Sequence, residues 1–468
     1  MIVSIKNKNK KEERSHPEIR KKQHNQMPLM ITSIDHPRAK ELQRISDFLD
    51  DHPIISKMVW QDLTKHVKNH RSGAKGMSAD QVLRSAIVKQ TEGFSYEDLA
   101  FHLLDSRCYR TFCRIGVIHK GFRKSALAAA IKSISSKTWE AINRIITAYA
   151  EDKEIEKGRE IRMDCTVVSS NIHEPSDSKL LWDAVRVITR KLTQLKECEK
   201  GVSFPFSDHT KRAKRRMLAI HYAKNTKARK KQYLDLLKVT QKNLNYAKQA
   251  ISLNAHSVSP YTLSLLDDLK KIIGLTQQVM DQTIRRVLQG EQVHADEKIV
   301  SIFEPHTDVI KKDNRETFYG HKVCLSVGRS NLINNCVILE GNPADTTLVK
   351  DMLHRHDHLY GKYPLKVALD GGFASKENLR FAKSMKIKDV CFAKKRGMKI
   401  EQMCRSEYVY KRLRRFRAGI ESAISWLKRC FGLDRCIWRT LPSFHSYVWA
   451  SVVSANLLTL ARIEIEAT

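Results

Sequence analysis

Three acidic residues stand in local sequences that suit chemistry with a bound cation: Asp164 in RMDCTVV, Asp370 in LDGGF and Glu421 in FRAGIESAISWLKR. Their carboxylates are oxygen ligands of the kind that Mg²⁺ and Mn²⁺ prefer. Two such ions about 3.5–4 Å apart can activate a water or a 3′-hydroxyl, polarise a phosphodiester and stabilise the leaving oxygen. If the fold brings these side chains together, they predict phosphoryl transfer on nucleic acid.

The glutamate lies between two cations on one edge of a predicted helix. At 100° per residue, Arg417, Glu421 and Lys428 fall within an arc of about 40°. An apolar stripe runs beside them, formed by Leu413, Phe416, Ile420, Ala423 and Leu427. One interpretation is a solvated i,i+4 ion pair that contributes only about 0.2–0.5 kcal/mol. The other is that Arg417 and Lys428 hold backbone phosphates beside the metal ions.

Each aspartate also has two interpretations. Asp164 lies in a strand pattern over 159–170, where an unpaired buried carboxylate would cost several kcal/mol. It is therefore either a metal ligand or the partner of Arg162 or Arg186 in a buried ion pair. Asp370 follows the apolar run VAL and precedes GGF, so it is either a ligand at the carboxyl end of a strand or a simple turn aspartate.

Other polar residues are set aside from the predicted site. Asp308 and Asp345 are rival second carboxylates, but GNPADTTLV is typical of a helix start. His321 in YGHKV is interpreted as a strand histidine with satisfied hydrogen bonds. Asp177 and Asp183 in SDSKLLWD are interpreted as acids favoured by a helix dipole.

The composition indicates a polyanionic partner. The chain has 468 residues, with 84 Lys and Arg against 51 Asp and Glu, which gives a formal charge of +33. Such a charge repels itself unless a polyanion binds, and nucleic acid is the first candidate. With 41% hydrophobic residues, the chain can bury a large core and is expected to form two to four domains.

Two segments, 209–231 and 394–417, each contain ten Lys and Arg residues. Runs of charge are often only solvated faces, but two runs in so basic a chain favour phosphate contact. The predicted DNA-binding residues are Arg417, Lys428, Arg414, Lys394, Lys395, Arg396, Arg215 and Arg216. Binding to double-stranded DNA should then depend strongly on salt.

The cysteines and the most apolar segment bear on location. None of the ten cysteines forms a C-x-x-C pair, which favours free thiols in a reducing compartment and no structural zinc. The N-terminal segment MIVSIKNKNKKEER has too short an apolar run for a signal peptide. The apolar stretch 446–463 is interrupted by polar residues and predicts a buried core helix, not a membrane span. We expect a cytoplasmic, nucleoid-associated prokaryotic protein that does not associate with a membrane.

The order of predicted elements gives an α/β fold. Residues 1–30 read as a flexible basic arm, and 31–155 as a helical N-terminal DNA-binding domain. Ser78 and Ser95 are predicted N-caps there, in either a helix-turn-helix-like reader or a plain helical bundle. A strand, a large basic helical insertion over 178–296 and the order β, β, α, β, α, β, α then predict a mixed sheet flanked by helices.

Three motifs resemble those of the DDE insertion-sequence transposases, whose catalytic domain is RNase H-like. They are RMDCTVV at Asp164, the D-x-G-F pattern at Asp370, Gly372 and Phe373, and the R-x3-E-x6-K signature at Arg417, Glu421 and Lys428. The stretch SSNIHEPSDSKLLWDAVRVITR looks most like the ISNCY group. The similarity covers about residues 75–460 and implies an RNase H-like catalytic domain formed by 156–177 and 297–468.

The resemblance implies a DNA transposase with Asp164, Asp370 and Glu421 as catalytic residues and ligands of two Mg²⁺ or Mn²⁺ ions. Such an enzyme cleaves transposon terminal inverted repeats and joins their 3′-hydroxyls to target DNA, as a homodimer or higher multimer. Arg414 departs from the family pattern, which often has Tyr at that position. The alternatives are a catalytically inactive basic DNA-binding protein and a nuclease of the same fold.

Overall fold

A computed structural model describes residues 35–66, 76–116, 118–198, 204–257, 259–312 and 316–467. The predicted arm over 1–30 lies outside the described residues. The chain divides into two compact units. Unit 1 holds Met1–Val168, Lys322–Leu339 and Pro343–Thr468, and unit 2 holds Ser169–His321 and Glu340–Asn342.

The N-terminal part of unit 1 is helical, as the sequence predicts. Its helices are α1 Pro37–Asp51, α2 Pro53–Thr64, α3 Ala79–Glu92, α4 Tyr96–Asp105, α5 Arg107–Phe112, α6 Lys124–Lys132 and α7 Ser136–Asp152. Both predicted N-caps are confirmed, because Ser78 begins α3 and Ser95 begins α4 with a capping box. Gly93 ends α3 in the left-handed region, at φ 67°.

One mixed sheet is formed among the described residues. Its strands are β1 Glu160–Ser169, β2 Asp308–Lys312, β3 Glu316–Val327, β4 Ile333–Ile338, β5 Lys366–Leu369 and β6 Asp389–Phe392. The order is β2-β3-β1-β5-β6, and β4 also pairs with β3. Strands β1, β5 and β6 are parallel, whereas β3 is antiparallel to β2 and β4. The predicted mixed α/β fold is confirmed, and β2 is an addition that the sequence patterns did not predict.

The chain between β1 and β2 is mainly helical and belongs to unit 2. It contains α8 Asp177–Cys198, α9 Thr210–His221, α10 Thr226–Leu253 and α11 Pro260–Thr283, and α11 continues into a π-helical turn, Ile284–Gln289. Apolar side chains of α8, α10 and α11, including Leu181, Leu236 and Val279, form a common core. The predicted helical insertion after the first strand is therefore confirmed.

The remaining helices of unit 1 are α12 Val349–Tyr360, α13 Lys376–Ser384, α14 Ile400–Met403, α15 Glu407–Cys430 and α16 Leu441–Glu466. Apolar residues of β1, β5 and β6 share one core with Met352 of α12, Leu379 of α13 and Leu413 of α15. Helix α15 thereby covers the sheet, and its polar edge is held close to β1 and β5.

Helix α16 is the buried core helix that the sequence predicts. It is long and apolar enough to cross a membrane by length and composition alone. However, 72% of its most apolar window is buried inside the protein. It packs against α7, α1 and α3 within unit 1. Burial against other helices explains its uniform apolarity without a lipid environment.

Candidate active site

The two aspartates lie side by side because of the parallel pairing of β1 with β5. Met163 is paired with Leu369 in the register of the two strands. Asp164 directly follows Met163, and Asp370 directly follows Leu369. The Asp164 carboxylate accepts a hydrogen bond from the Cys165 amide at 2.8 Å. Asp370 follows the last residue of β5 and begins a 3₁₀ turn. It is therefore at the carboxyl end of a strand, as predicted.

Arg417 of α15 contacts all three predicted carboxylates. Its Nη2 lies 3.0 Å from Asp164 Oδ2 and 3.2 Å from Asp370 Oδ1, and its Nη1 lies 2.7 Å from Glu421 Oε1. The three acids come from β1, the end of β5 and α15, and they meet at one guanidinium. Asp164 and Asp370 both reach the same nitrogen, so their oxygens can be separated by no more than the sum of the two distances.

The burial of Arg417 distinguishes this contact from a surface ion pair. Its side chain is only 16% exposed, whereas that of Glu421 is 65% exposed. Arg417 Nε is buried and has no hydrogen-bond partner among the described residues. A surface i,i+4 pair would leave both side chains in water. Arg417 instead neutralises a concentration of negative charge at the edge of the sheet.

Arg162 is a component of the site that the sequence motifs missed. It lies two residues before Asp164, so both side chains point to the same face of β1. Its Nη1 donates to the Phe416 carbonyl at 2.8 Å, and its guanidinium lies 4.8 Å from the centre of the Phe416 ring. It also bonds to the Asn331 side chain. Burial lowers the pKa of Arg162 from its usual value.

These contacts fix α15 against β1 near the acids. A Cβ at Gly419 would collide with Arg162 Nη1, so the Arg162 guanidinium could hold this position only if it shifted away from the helix. Of the two arginines considered as ion-pair partners of Asp164, Arg186 pairs with Asp183, and the Arg162 guanidinium bonds to Phe416 and Asn331. The cation paired with Asp164 is Arg417. The glycine inside FRAGIE was the one sequence signal for so close an approach.

The two glycines after Asp370 are also approached closely. A Cβ at Gly371 would lie 2.8 Å from Cβ of Lys394, so the stem of this lysine covers the turn. A Cβ at Gly372 would collide with the carboxylate of Asp345. Asp345 pairs with Lys322 at 2.6 Å and begins the 3₁₀ turn before α12, as its helix-start pattern indicates.

The predicted phosphate-binding residues are distributed over both units. In unit 1, Lys394, Lys395, Arg396 and Arg414 are exposed. Lys428 is half-buried and lies 3.6 Å from Asp434. In unit 2, Arg215 is exposed, whereas Arg216 pairs with Asp235. Among these residues, Arg417 alone reaches the three acids in the contacts described above.

Four other polar residues that were not assigned to the predicted site, Asp177, Asp183, Asp308 and His321, have partners within unit 2. His321 is buried and its Nδ1 lies 2.9 Å from Asp308 Oδ2, while its Nε2 lies 2.8 Å from His306 Nδ1. Asp177 pairs with Arg286 at 3.0 Å, and Asp183 pairs with Arg186 at 2.6 Å. His321 is thus a strand histidine with satisfied hydrogen bonds, as predicted.

The carboxylate oxygens around Arg417 are ligands that suit a divalent cation. They come from three separate elements and face one positive charge. Within the described ranges, no three Asp, Glu, His or Cys side chains are grouped tightly enough to form a ready metal site. The cation found among the three acids is the Arg417 guanidinium.

A comparison with family models identifies the C-terminal region. Residues 288–457 match the model described as the transposase DDE domain. This match supports a DDE transposase. The matched residues contain Asp370, Arg417, Glu421 and Lys428, and Asp164 precedes them. No curated protein and no solved structure matches the chain.

A transposase role agrees with the mixed sheet flanked by helices and with the large positive charge. DDE transposases bind DNA, and they are generally metal-dependent DNA-cleaving enzymes that use divalent ions. DNA recombination and transposition of an insertion sequence are activities of the family whose model matches residues 288–457.

Proposed function

We propose that this transposase cleaves transposon ends and joins their 3′-hydroxyls to target DNA, with Asp164, Asp370 and Glu421 at the reaction centre. The observation that most supports this proposal is the contact of one guanidinium, that of Arg417, with all three carboxylates. Residues 253 apart in sequence take part in this contact. Such convergence would be unexpected for three unrelated surface acids.

The three carboxylates would hold two Mg²⁺ or Mn²⁺ ions. When bound, these ions would supply Lewis-acid activation of the attacking hydroxyl and stabilisation of the leaving oxygen. The carboxylates are held in position by rigid elements, because β1, β5 and α15 pack into one core. Arg417 neutralises the carboxylates and can also bind a phosphate oxygen through its planar fork of donors.

DNA would be bound by basic side chains of both units. The exposed Lys394, Lys395, Arg396 and Arg414 belong to the same unit as the three acids. Lys428 on α15, and Arg215 and Arg216 in unit 2, complete the proposed phosphate contacts. Residues 31–155 would read the terminal repeats, and two or more copies would act on paired ends. The protein would belong to the ISNCY group of these transposases.

The deciding experiment is a plasmid assay in which inverted repeats flank a marker, with purified protein and Mg²⁺ or Mn²⁺. We expect integration products. Cleavage without joining would indicate a nuclease, and binding without metal-dependent chemistry would indicate an inactive DNA-binding protein.

Variants test the assignment within the same assay. Asp370→Asn should abolish cleavage and leave DNA affinity nearly unchanged, because a neutral amide keeps the shape but loses the charge that a cation requires. The matched control is Asp152→Asn, which changes an exposed residue on α7. Cleavage by Asp370→Asn at a rate near that of the unmodified protein would remove Asp370 from the site.

A further inference from the structure

Unit 2 contains a polar cavity that is separate from the three acids. It has a volume of about 180 Å³ and lies among the start of α8, the π-helical turn, the chain that follows this turn, and strands β2 and β3. Three basic side chains line it, those of Arg286, Lys298 and Lys311. Asp177 is the one acid among the lining residues, and Ser176, Thr317 and Tyr319 bring hydroxyl groups.

The single acid is already neutralised. Arg286 Nη1 donates to both oxygens of Asp177, at 3.1 and 3.0 Å, and Gln282 Nε2 donates to Oδ1 at 3.1 Å. Asp177 is buried, so this carboxylate is fully occupied by its neighbours. The two lysines are thus left as a net positive charge at the cavity wall.

The lysines are placed there by ordered backbone. Gln282 accepts from the Ile299 amide at 2.9 Å and donates to the Ile299 carbonyl at 3.1 Å, which fixes the chain at Lys298. Lys311 is opposite Thr317 in the pairing of β2 with β3. Burial lowers the pKa of Lys298, and the nearby charges of Arg286 and Lys311 lower it further. The cations therefore share one small space.

The geometry points to a binding site for one phosphodiester group of DNA, held by Lys298 and Lys311 beside the Arg286–Asp177 pair. Closely spaced cations repel one another, and an anion between them relieves that repulsion. The hydroxyl groups of Ser176, Thr317 and Tyr319 would serve as hydrogen-bond donors to phosphate oxygens.

The size of the cavity selects among anions. Its volume is about 180 Å³. Sites for drug-sized ligands occupy roughly 300–1,000 Å³, so a whole nucleotide is too large. A single phosphate group fits, either as part of a DNA backbone or as free inorganic phosphate. The basic composition of the chain favours the DNA backbone.

Salt-dependent DNA binding tests this site sharply, because both lysines would serve the same phosphate. Each neutralised phosphate contributes about one unit to the slope of log K against log salt. We expect the double variant Lys298→Ala/Lys311→Ala to lower the slope by about one unit, and each single variant to lower it by no more than that. Arg286 is left unchanged, since its loss would leave the buried Asp177 without its cation.

The measurements use the full chain and a short duplex, with affinity followed by fluorescence anisotropy over a range of KCl. Lys238→Ala and Lys248→Ala, at exposed positions of α10 in the same unit, give the effect of losing one ordinary surface charge. Thermal melting confirms that each variant is folded. In parallel, inorganic phosphate is titrated and observed by ³¹P NMR, and its competition with DNA is measured.

A slope decrease of about one unit in the double variant, larger than those of the α10 controls, would support the site. A double variant that loses about two units would overturn it, since the lysines would then contact separate phosphates. Loss of phosphate binding with an unchanged DNA slope would show a site for free phosphate only and overturn the DNA assignment. No effect on either ligand would overturn both.

Discussion

At the scale of single residues, Arg417 determines how the three acids coexist. Carboxylates at close range repel one another unless a cation lies between them. In this protein the guanidinium performs that role from the same helix that carries Glu421. The chain itself therefore supplies one positive charge against three acids, and a divalent cation must share the acids with Arg417 or replace its contacts.

This arrangement predicts that Arg417→Ala increases the effect of Mg²⁺ on stability. Without the guanidinium, the three carboxylates have more uncompensated charge, so a divalent cation should bind the folded state more tightly. We expect Mg²⁺ to raise the melting temperature of Arg417→Ala more than that of the unmodified protein, as measured by calorimetry.

The double variant Arg417→Ala/Asp370→Asn is the matched control for that measurement. It removes one of the three oxygen donors, so the additional Mg²⁺ effect should be largely lost. If Mg²⁺ shifted the melting temperature of all these proteins equally, the three carboxylates would not be the place where it binds.

At the scale of elements, the site depends on how α15 lies against β1. Gly419 permits the contact of Arg162 with the Phe416 carbonyl, so its substitution should disturb the helix at the position of Arg417. We expect Gly419→Ala to destabilise unit 1 by about 1–3 kcal/mol, as overpacking of a close contact usually does. Denaturant unfolding measures this change.

Gly274→Ala provides the opposite expectation from the same substitution. Gly274 lies inside α11, and a Cβ there would meet nothing within 4 Å. Alanine should therefore stabilise that helix by about 0.5–1 kcal/mol. If both alanines had the same effect, helix propensity and not the Arg162 contact would govern Gly419.

The elements themselves were largely predictable from the sequence, because local patterns determine them. Alternation marked β1, a 3.6-residue period marked α15, and serine caps marked the starts of α3 and α4. Strand β2 was missed, since DVIKK is short and ends in charged residues. The pairing of Asp164 with Arg417 was also not predicted. The two residues are 253 positions apart in sequence, and local spacing suggested Arg162 as the partner.

At the scale of the whole molecule, buried titratable groups limit the pH range of the fold. His356 of α12 is fully buried, and its Nε2 donates to the Gly158 carbonyl at 3.0 Å, just before β1. Its Nδ1 has no hydrogen-bond partner among the described residues. Burial lowers the pKa of His356 to about 4. The neutral ring is therefore part of the native structure.

Because the folded pKa of His356 lies below its unfolded value of 6.5, the unfolded state binds the proton more readily. Its contribution is complete above about pH 6.5 and is lost as the pH falls towards 4. The loss should be on the order of 3 kcal/mol. Denaturant unfolding at pH 7.5 and pH 5 should detect about 2 kcal/mol of this loss, and His356→Gln should flatten this part of the pH dependence. An equally steep profile in the variant would assign the effect to other groups.

The net charge of +33 makes association with DNA a property of the whole surface, within which single contacts can still be counted. Lys428 lies on α15, on the helix edge that carries Arg417 and Glu421, and its internal partner Asp434 is 3.6 Å away. We expect Lys428→Ala to weaken binding to transposon-end DNA and to lower the salt slope by about one unit. Lys350→Ala, which changes an exposed lysine of α12 that pairs with Glu377 and lies outside both basic segments, is the control. An unchanged slope for Lys428→Ala would mean that Lys428 serves only its pair with Asp434, because counterion release reports the number of phosphates neutralised and not the total charge of the chain.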